Sequence, residues 1–250
     1  MPDPDELSKR LHRSLAKPVA DLDLDRPSRT ARRLRGPIRA VVNRVEEKLL
    51  WRGLETSEKQ AELAHFHPDR VTYQPSGWWY LRRGLRRRDV APHDVFVDFG
   101  SGKGQVLCQA ARYPFARVIG VEIAEALVEV ARSNVDRGRA KFACKQVELV
   151  TADVVDYEIP DDVTFAYFFH PFAGKTFETV IEHLVESIER RPRRVTIIYA
   201  CPGLEDYILA TGRFRLERTS RGGWRNFLYR RVSVYVHDPR PGGTAEAARA

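Results

Sequence analysis

The stretch Val95–Leu107, with the sequence VFVDFGSGKGQVL, decides the fold of this chain. Its first five residues are apolar apart from Asp98, as expected of a buried strand that ends next to an acid. Gly100, Gly102 and Gly104 follow at alternate positions, and an apolar helical pattern begins after them. Alternate glycines permit positive φ angles and close approach of a ligand, and the first turn of a helix presents unpaired N–H groups. Strand, glycine turn and helix together predict a nucleotide-type binding site.

Strand and helix patterns alternate along the rest of this region. Strands are predicted at 117–122, 147–153, 163–169 and 195–200, helices at 124–137, 175–190 and around 204–210, and a final hairpin from strands 214–220 and 227–237. Such repeats predict a three-layer α/β fold with a mostly parallel, seven-stranded sheet that ends in an antiparallel hairpin.

Four polar residues, Asp98, Glu122, Asp153 and His170, follow or close predicted strands. The carboxyl ends of parallel strands meet at one edge of the sheet, where ligands of this architecture bind. The sequence therefore predicts that these four side chains border one site.

The ligand of the glycine turn follows from its spacing and charge. A P-loop needs a glycine where this chain has Val97 and a serine or threonine where it has Gly104, so this motif is excluded. In a dinucleotide-binding turn the third glycine would stand at Gln105, and an acid at the strand end would repel a phosphate. S-adenosylmethionine carries an ammonium and a sulfonium and no phosphate, so an acid beside it is favourable.

At this point the sequence resembles the class I S-adenosylmethionine-dependent methyltransferases, whose fold is Rossmann-like. The resemblance rests on residues 97–104, on Gly120-Val-Glu-Ile123, on Thr151-Ala-Asp153 and on Phe169-His-Pro-Phe172. It implies that the cofactor's methionine part is held by Asp98, Gly100, Ser101, Gly102 and Gly104. It also implies that Glu122, with Ile123 beside it, holds the ribose hydroxyls and that Asp153 holds the adenine amino group.

A shorter segment, Tyr73-Gln-Pro-Ser76, is similar to a segment of the non-SET protein-lysine methyltransferases that closes over the cofactor. This weaker likeness implies that Tyr73 and Ser76 also contact S-adenosylmethionine.

The acceptor side is predicted from the end of the fourth strand. His170 is the candidate general base, because its ordinary pKa is near neutrality; the alternative is a structural hydrogen bond to the neighbouring loop. Many methyltransferases that act on nucleobases carry Asn or Asp, then Pro-Pro and an aromatic residue, at this place. The His-Pro-Phe of this chain counts against base methylation of DNA. Trp78 and Phe172 are the candidate walls of the acceptor pocket, and either is also compatible with a core position.

The chain is predicted to have three parts. Residues 1–68 form a basic, mainly helical N-terminal extension whose first ~25 residues are partly disordered, residues 69–238 form the methyltransferase domain, and residues 239–250 form a disordered tail. The formal net charge is +8, and the segment Arg26–Arg44 contains seven arginines and no acid. Arginines also cluster at residues 82–88. Such clusters attract nucleic acid or acidic protein surfaces, or simply form a solvated helix face.

Composition bounds the remaining properties. No apolar run approaches the ~20 residues that span a bilayer, so no membrane insertion is expected. Three widely spaced cysteines predict a reducing, cytoplasmic compartment, and His65 and His67 without further ligands do not indicate a metal site.

The sequence thus predicts transfer of a methyl group from S-adenosylmethionine to a nucleophilic nitrogen or oxygen. A protein or peptide is the favoured acceptor. The alternatives are an RNA methyltransferase guided by Arg26–Arg44, a small-molecule (natural-product) methyltransferase, or a non-catalytic module that binds the cofactor or nucleic acid.

Overall fold

The computed structural model of the chain describes residues 54, 76, 79–169, 172, 174–220 and 231–239. Its strands are β1 (Val95–Phe99), β2 (Arg117–Glu122), β3 (Gln146–Thr151), β4 (Phe165–Phe169), β5 (Val195–Ala200), β6 (Arg215–Ser220) and β7 (Val232–His237). Its α-helices are α1 (Trp79–Gly84), α2 (Gln105–Ala110), α3 (Glu125–Gly138), α4 (Gly174–Arg190) and α5 (Glu205–Ala210), with short 3-10 turns at Arg87–Asp89 and Arg139–Lys141.

The seven strands form one sheet in the order β3-β2-β1-β4-β5-β7-β6. β1 pairs in parallel with β2 on one side and with β4 on the other. The strand order therefore reverses at β1, which is the topological switch point of the sheet. β7 is antiparallel to both β5 and β6. The predicted mostly parallel sheet with a terminal antiparallel hairpin is therefore confirmed.

Helices cover both faces of the sheet. On one face α4 contributes the fully buried side chains of Phe177, Val180, Ile181 and Leu184 to the main hydrophobic core. On the other face α1 packs so closely that a Cβ atom added at Gly84 would lie 2.2 Å from Cγ2 of Ile198. Because β1 and β5 are buried along their whole lengths, their near-continuous apolar sequences are those expected of central strands.

β3, β4 and β6 differ from their predicted bounds by one or two residues at an end. The fourth begins at Phe165 rather than at residue 163, because the Thr164 side chain accepts a hydrogen bond from the Val95 N–H at 3.0 Å. The two strands of the final hairpin lie at one edge of the sheet, with the last strand, β7, between β5 and the edge strand β6. The predicted first residues of β7, together with the Gly222-Gly223 turn, lie outside the described residues.

The predicted N-terminal extension, its boundary at residue 68 and the tail after residue 239 also lie outside the described part of the chain and stay predictions. Within the described ranges, no helix is both long enough and apolar enough to cross a bilayer.

Candidate cofactor and acceptor site

The glycine turn joins β1 to α2 at the carboxyl edge of the sheet. Gly100, Gly102 and Gly104 have φ angles of 76°, 52° and 72°, in the left-handed region that side chains disfavour. The N–H groups of Gly100 and Ser101 both donate to the Val121 carbonyl, at 2.9 and 3.0 Å. The turn is therefore fastened to the end of β2 and held in a conformation that the three glycines make accessible.

Glu122, the last residue of β2, binds the same turn through its side chain. Its Oε2 atom accepts a hydrogen bond from the Gly102 N–H at 2.9 Å, and its Oε1 atom accepts one from the Ala124 N–H at 3.0 Å. The residue is only 8% exposed. Glu122 is thus more than a turn residue at a strand end, since its carboxylate connects the glycine turn to the start of α3.

Gly120 is a site residue that the sequence analysis missed. A Cβ atom added there would lie 2.4 Å from Leu107 Cδ1 and 2.8 Å from Ser101 Oγ. The Ser101 hydroxyl is buried, faces β2 at this point and has no hydrogen-bond partner among the described residues. The backbone of Ser101 is used within the turn, since its N–H donates to the Val121 carbonyl and its carbonyl accepts from the Gly104 N–H at 2.9 Å. An isolated glycine within a strand was the available signal, because it indicates close approach of another backbone.

Replacement of Gly120 by alanine should therefore displace the glycine turn. We expect the free energy of unfolding to fall by about 1–3 kcal/mol, as for overpacked cores, and cofactor affinity to fall with it. Thermal denaturation and calorimetric titration with S-adenosylmethionine measure the two effects. Gly212→Ala is the control for cofactor affinity: a Cβ atom there meets nothing within 4 Å, while its φ of +64° disfavours a side chain and should lower stability by about 1 kcal/mol without moving the turn. Unchanged cofactor affinity in Gly120→Ala would show that this contact does not position the turn.

Asp98 lies at the centre of the site and is 3% exposed. In the register of the sheet it stands opposite Gly120 on β2 and Tyr167 on β4. Burial raises the pKa of Asp98 well above its ordinary value, and the negative charge of Glu122 raises this pKa further. A buried acid beside a second acid favours a cationic ligand, since positive charge would offset both influences.

Tyr167 lies among polar groups on this face of the sheet. It is fully buried, and its pKa is raised first by burial and then by the neighbouring Asp98, Cys201 and Tyr80, while the Ser76 side chain acts in the opposite direction. Ser76, predicted to contact the cofactor, is thus a neighbour of Tyr167. Tyr167 and Cys201 were missed, because a tyrosine within an apolar strand and a cysteine directly after one give no polar signal in the sequence.

Cys201 directly follows β5 and has a φ angle of 52°, the one non-glycine residue with positive φ among the described residues. Its Sγ atom lies 3.4 Å from the Tyr80 hydroxyl. This unfavourable backbone conformation at the carboxyl edge turns the chain away from the sheet beside the end of β4.

Two residues extend the site beyond Glu122. Ile123 is 39% exposed, an unusual position for a large apolar side chain, and offers a surface on which a flat ring can pack. Asp153 follows β3 and accepts a hydrogen bond from the Val155 N–H at 3.3 Å. Both lie at the side of the site where the resemblance places ribose and adenine.

Aromatic residues border the side of the site that lies opposite Ile123 and Asp153. The ring of Tyr80 stacks on that of Trp79 at a centroid distance of 3.7 Å and lies 4.8 Å from the ring of Phe169, the last residue of β4. Phe172 was predicted to wall the acceptor pocket, but it is 4% exposed and packs against Phe168 and Phe177 in the main core. This position favours a structural role for Phe172.

Three further predicted site residues, Tyr73, Trp78 and His170, lie outside the described residues, so their predicted roles stay predictions.

The described residues fit S-adenosylmethionine better than a phosphorylated cofactor. The buried Asp98 carboxylate suits its positive charge, and the Glu122 carboxylate offers acceptors for its ribose hydroxyls. The glycine turn lets its methionine part approach the backbone, and Ile123 offers an apolar surface for its base. A diphosphate would instead lie against Asp98 and Glu122 and be repelled.

Comparisons with known proteins agree with this fit. Residues 96–191 match the family model described as a methyltransferase domain. A candidate RNA methyltransferase from Pyrococcus horikoshii superposes with a TM-score of 0.51 at 15% identity, over 80% of this chain and 98% of that one. Magnesium protoporphyrin IX methyltransferase from Synechocystis, solved with bound S-adenosylmethionine, gives a TM-score of 0.48 at 17% identity over 78% and 97% of the two chains.

An RNA methyltransferase from Salinibacter ruber, solved with S-adenosyl-L-homocysteine, gives a TM-score of 0.43 at 22% identity over 67% of this chain and 92% of that one. No curated protein matches the sequence significantly. The Pyrococcus superposition supports the fold, and the family match lies on the segment that contains the glycine turn and the three strand-end acids. The chain therefore carries a methyltransferase domain of Rossmann-like fold, and the protein is an S-adenosylmethionine-dependent methyltransferase.

Proposed function

We propose that this enzyme methylates a nucleophilic nitrogen or oxygen of a protein or peptide, with an amine as the favoured acceptor. The observation that carries the proposal is the aromatic group Trp79, Tyr80 and Phe169 at the end of β4. Aromatic faces attract cations, and the Arg83 guanidinium already lies 4.3 Å from the centre of the Trp79 ring. The half-buried ring of Phe169 is therefore the face that suits a lysine-like side chain or an N-terminal amine. The Tyr73–Ser76 segment favours the same class of acceptor, and the His-Pro-Phe sequence counts against base methylation of DNA.

One set of residues binds the cofactor, and another acts on the acceptor. Bound S-adenosylmethionine supplies a methyl group that is already activated by its sulfonium. The cofactor is bound and oriented by the glycine turn and by Asp98, Glu122, Ile123 and Asp153. The enzyme's main contribution is alignment of the acceptor with the methyl group and exclusion of water. An ammonium acceptor must first lose a proton, and His170 is proposed to take it.

RNA is the second candidate acceptor, and the seven arginines between Arg26 and Arg44 favour it. The candidate RNA methyltransferase from Pyrococcus horikoshii shares the fold. Binding through arginines to phosphates would make the affinity for RNA fall steeply with salt.

Labelling separates these acceptors. The purified enzyme and tritiated S-adenosylmethionine are added to a lysate of the host, and the label is followed into protein, RNA and small-molecule fractions. We expect protease-sensitive label in the protein fraction. Label that resists protease and is released by ribonuclease, or that stays in the small-molecule fraction, would overturn the protein assignment.

The proposed base role of His170 predicts a catalytic defect without a binding defect. His170→Ala should lower kcat by at least about tenfold, since the activated methyl donor leaves less work to the base than in a typical proton transfer. Calorimetry should give an unchanged affinity for S-adenosylmethionine. His183→Ala, on α4, is the control for loss of an imidazole elsewhere. If kcat and its pH profile are unchanged in His170→Ala, the histidine is structural.

A further inference from the structure

A cavity of about 950 Å³ lies at the amino edge of the sheet, opposite the glycine turn. Its border is formed by the segments that precede β1, β4 and β5 and by two residues of β6. The length of β1 separates it from the cofactor site by roughly 15–20 Å. A cavity of this size accommodates a small ligand or a short stretch of a polymer.

Arginines from three distant parts of the sequence meet at this cavity. The basic cluster at residues 82–88 contributes Arg86, the run RRPRR at 190–194 contributes Arg191, Arg193 and Arg194, and β6 contributes Arg218. The fold therefore brings the sequence's second arginine cluster and a separate arginine run into one place.

The positive charges are close enough to influence one another. The pKa of Arg193 is lowered, first by burial and further by the neighbouring Arg191 and Arg190, while Asp161 and Asp162 act in the opposite direction. Arg193 itself is held firmly, because it donates to the carbonyls of Val163 and Ser187 at 2.6 and 2.7 Å. It forms a fixed cationic part of the wall.

Four acids also line the cavity, but each is already engaged. Asp89 and Glu217 pair with Arg218 at 3.1 and 2.8 Å, and Asp162 pairs with Arg117 at 2.7 Å. Asp94 accepts a hydrogen bond from the Ala91 N–H at 2.6 Å. These carboxylates hold the walls in place and leave an excess of hydrogen-bond donors.

Three donors remain available. The side chains of Arg86 and Arg191 are exposed, and neither forms an ion pair or a side-chain hydrogen bond with another described residue. The Nε atom of Arg218 is buried and has no hydrogen-bond acceptor among the described residues. An unpaired buried N–H of a guanidinium is costly, so an acceptor supplied by a ligand would be stabilising.

We propose that this cavity binds a phosphate group, supplied either by the backbone of a nucleic acid or by a phosphorylated small molecule. Guanidinium groups form paired hydrogen bonds with phosphate oxygens, and a phosphate has enough oxygens to bridge two arginines at once. A single carboxylate, with two oxygens, bridges them less well. This second site goes beyond methyl transfer and does not rest on the proposed acceptor.

The test uses the full chain and two probes, a fluorescein-labelled single-stranded RNA of ten nucleotides and inorganic pyrophosphate. The variant Arg86→Ala/Arg191→Ala removes the two exposed donors. The control variant Arg132→Ala/Arg139→Ala removes the same charge from α3 and the turn after it, where both arginines are exposed. Thermal denaturation and titration with S-adenosylmethionine should be unchanged in the cavity variant, because neither substituted residue lies near the glycine turn.

We expect the cavity variant to bind at least one probe on the order of ten times more weakly than the wild type, and the control variant to stay within about twofold. If RNA is bound, the slope of log affinity against log salt should fall by about 1.4, which corresponds to two phosphate contacts on a single strand. Displacement of RNA by pyrophosphate would identify a small phosphorylated ligand as sufficient. RNA binding that pyrophosphate does not displace would identify the nucleic-acid backbone as the source.

Three results would overturn the proposal. The first is that neither probe binds the wild type, and the second is that both double variants lose the same affinity, which would indicate general electrostatic attraction. The third is displacement of the probes by a polyglutamate peptide at equal concentration, which would indicate an acidic protein partner instead.

Discussion

Asp98→Asn should make the cofactor-free protein more stable and, at the same time, weaken its binding of S-adenosylmethionine. In the folded protein the pKa of Asp98 is raised by burial and by Glu122. A carboxyl group with a raised folded pKa contributes its full stability only below its unfolded pKa, and this contribution is lost as pH rises through the folded pKa. As pH rises, the cost of ionising this buried carboxyl group therefore destabilises the fold, and an amide of the same shape, which does not ionise, relieves this cost.

The expected stabilisation is on the order of 1 kcal/mol at pH 8 and should vanish at pH 4, where the carboxyl group is protonated in the folded state. Denaturant unfolding across this pH range measures it. Asp136→Asn, at an exposed position on α3 that pairs with Arg139, is the control and should change stability little. A wild type more stable than Asp98→Asn throughout the range would contradict a destabilising, buried charge.

The same substitution should reduce cofactor affinity by roughly a hundredfold, because a charge-assisted contact to a cation is lost from a buried position. Cofactor binding favours the ionised carboxylate, so in the wild type it should release a proton and tighten as pH rises through the raised pKa of Asp98. Calorimetry in two buffers with different heats of ionisation detects this proton. Two results would show that Asp98 does not contact the cofactor. They are equal heats in both buffers for the wild type and equal affinities for wild type and variant.

Glu122→Ala should weaken cofactor binding by about 1–3 kcal/mol, or roughly five- to 150-fold. Two losses combine in this variant. The ribose loses its proposed acceptor, and the Gly102 and Ala124 N–H groups lose the carboxylate that fixes the glycine turn to α3. Hydrogen exchange at Gly102 should therefore accelerate even without cofactor.

Glu122→Gln serves as the conservative variant and Glu129→Ala as the control for loss of a carboxylate elsewhere. The glutamine keeps one acceptor oxygen and should bind with intermediate affinity, whereas Glu129, exposed on α3 and paired with Arg132, should be replaceable without effect. An affinity in Glu122→Ala equal to that in Glu129→Ala would refute the role of Glu122.

The sequence was sufficient for the parts of the fold that depend on local patterns. β2 and β5 have the predicted bounds, because each is an apolar run bounded by loop residues, and the three glycines adopt the positive φ angles that their spacing suggested. The insertion of β7 between β5 and β6 was not predicted, since the order of antiparallel strands depends on long-range pairing.

The site was predictable where its chemistry lies at strand ends. Asp98 and Glu122 were found because an acid that closes an apolar strand is conspicuous. The contacts of Tyr167 and Cys201 with the Asp98 cluster were not predictable, because they depend on which residues share one face of neighbouring strands. The burial of Phe172 depends similarly on the packing of α4 against β4.

Direct titration of the full chain with S-adenosylmethionine tests the central claim, that the glycine turn and the two buried acids form its binding site. Calorimetry should give saturable binding of one molecule per chain with a dissociation constant of tens of micromolar or less, weakened in Asp98→Asn and Glu122→Ala. NAD, which carries a diphosphate, should give no saturable heat in the same range. Absence of S-adenosylmethionine binding at these concentrations, or tighter binding of NAD, would contradict the account.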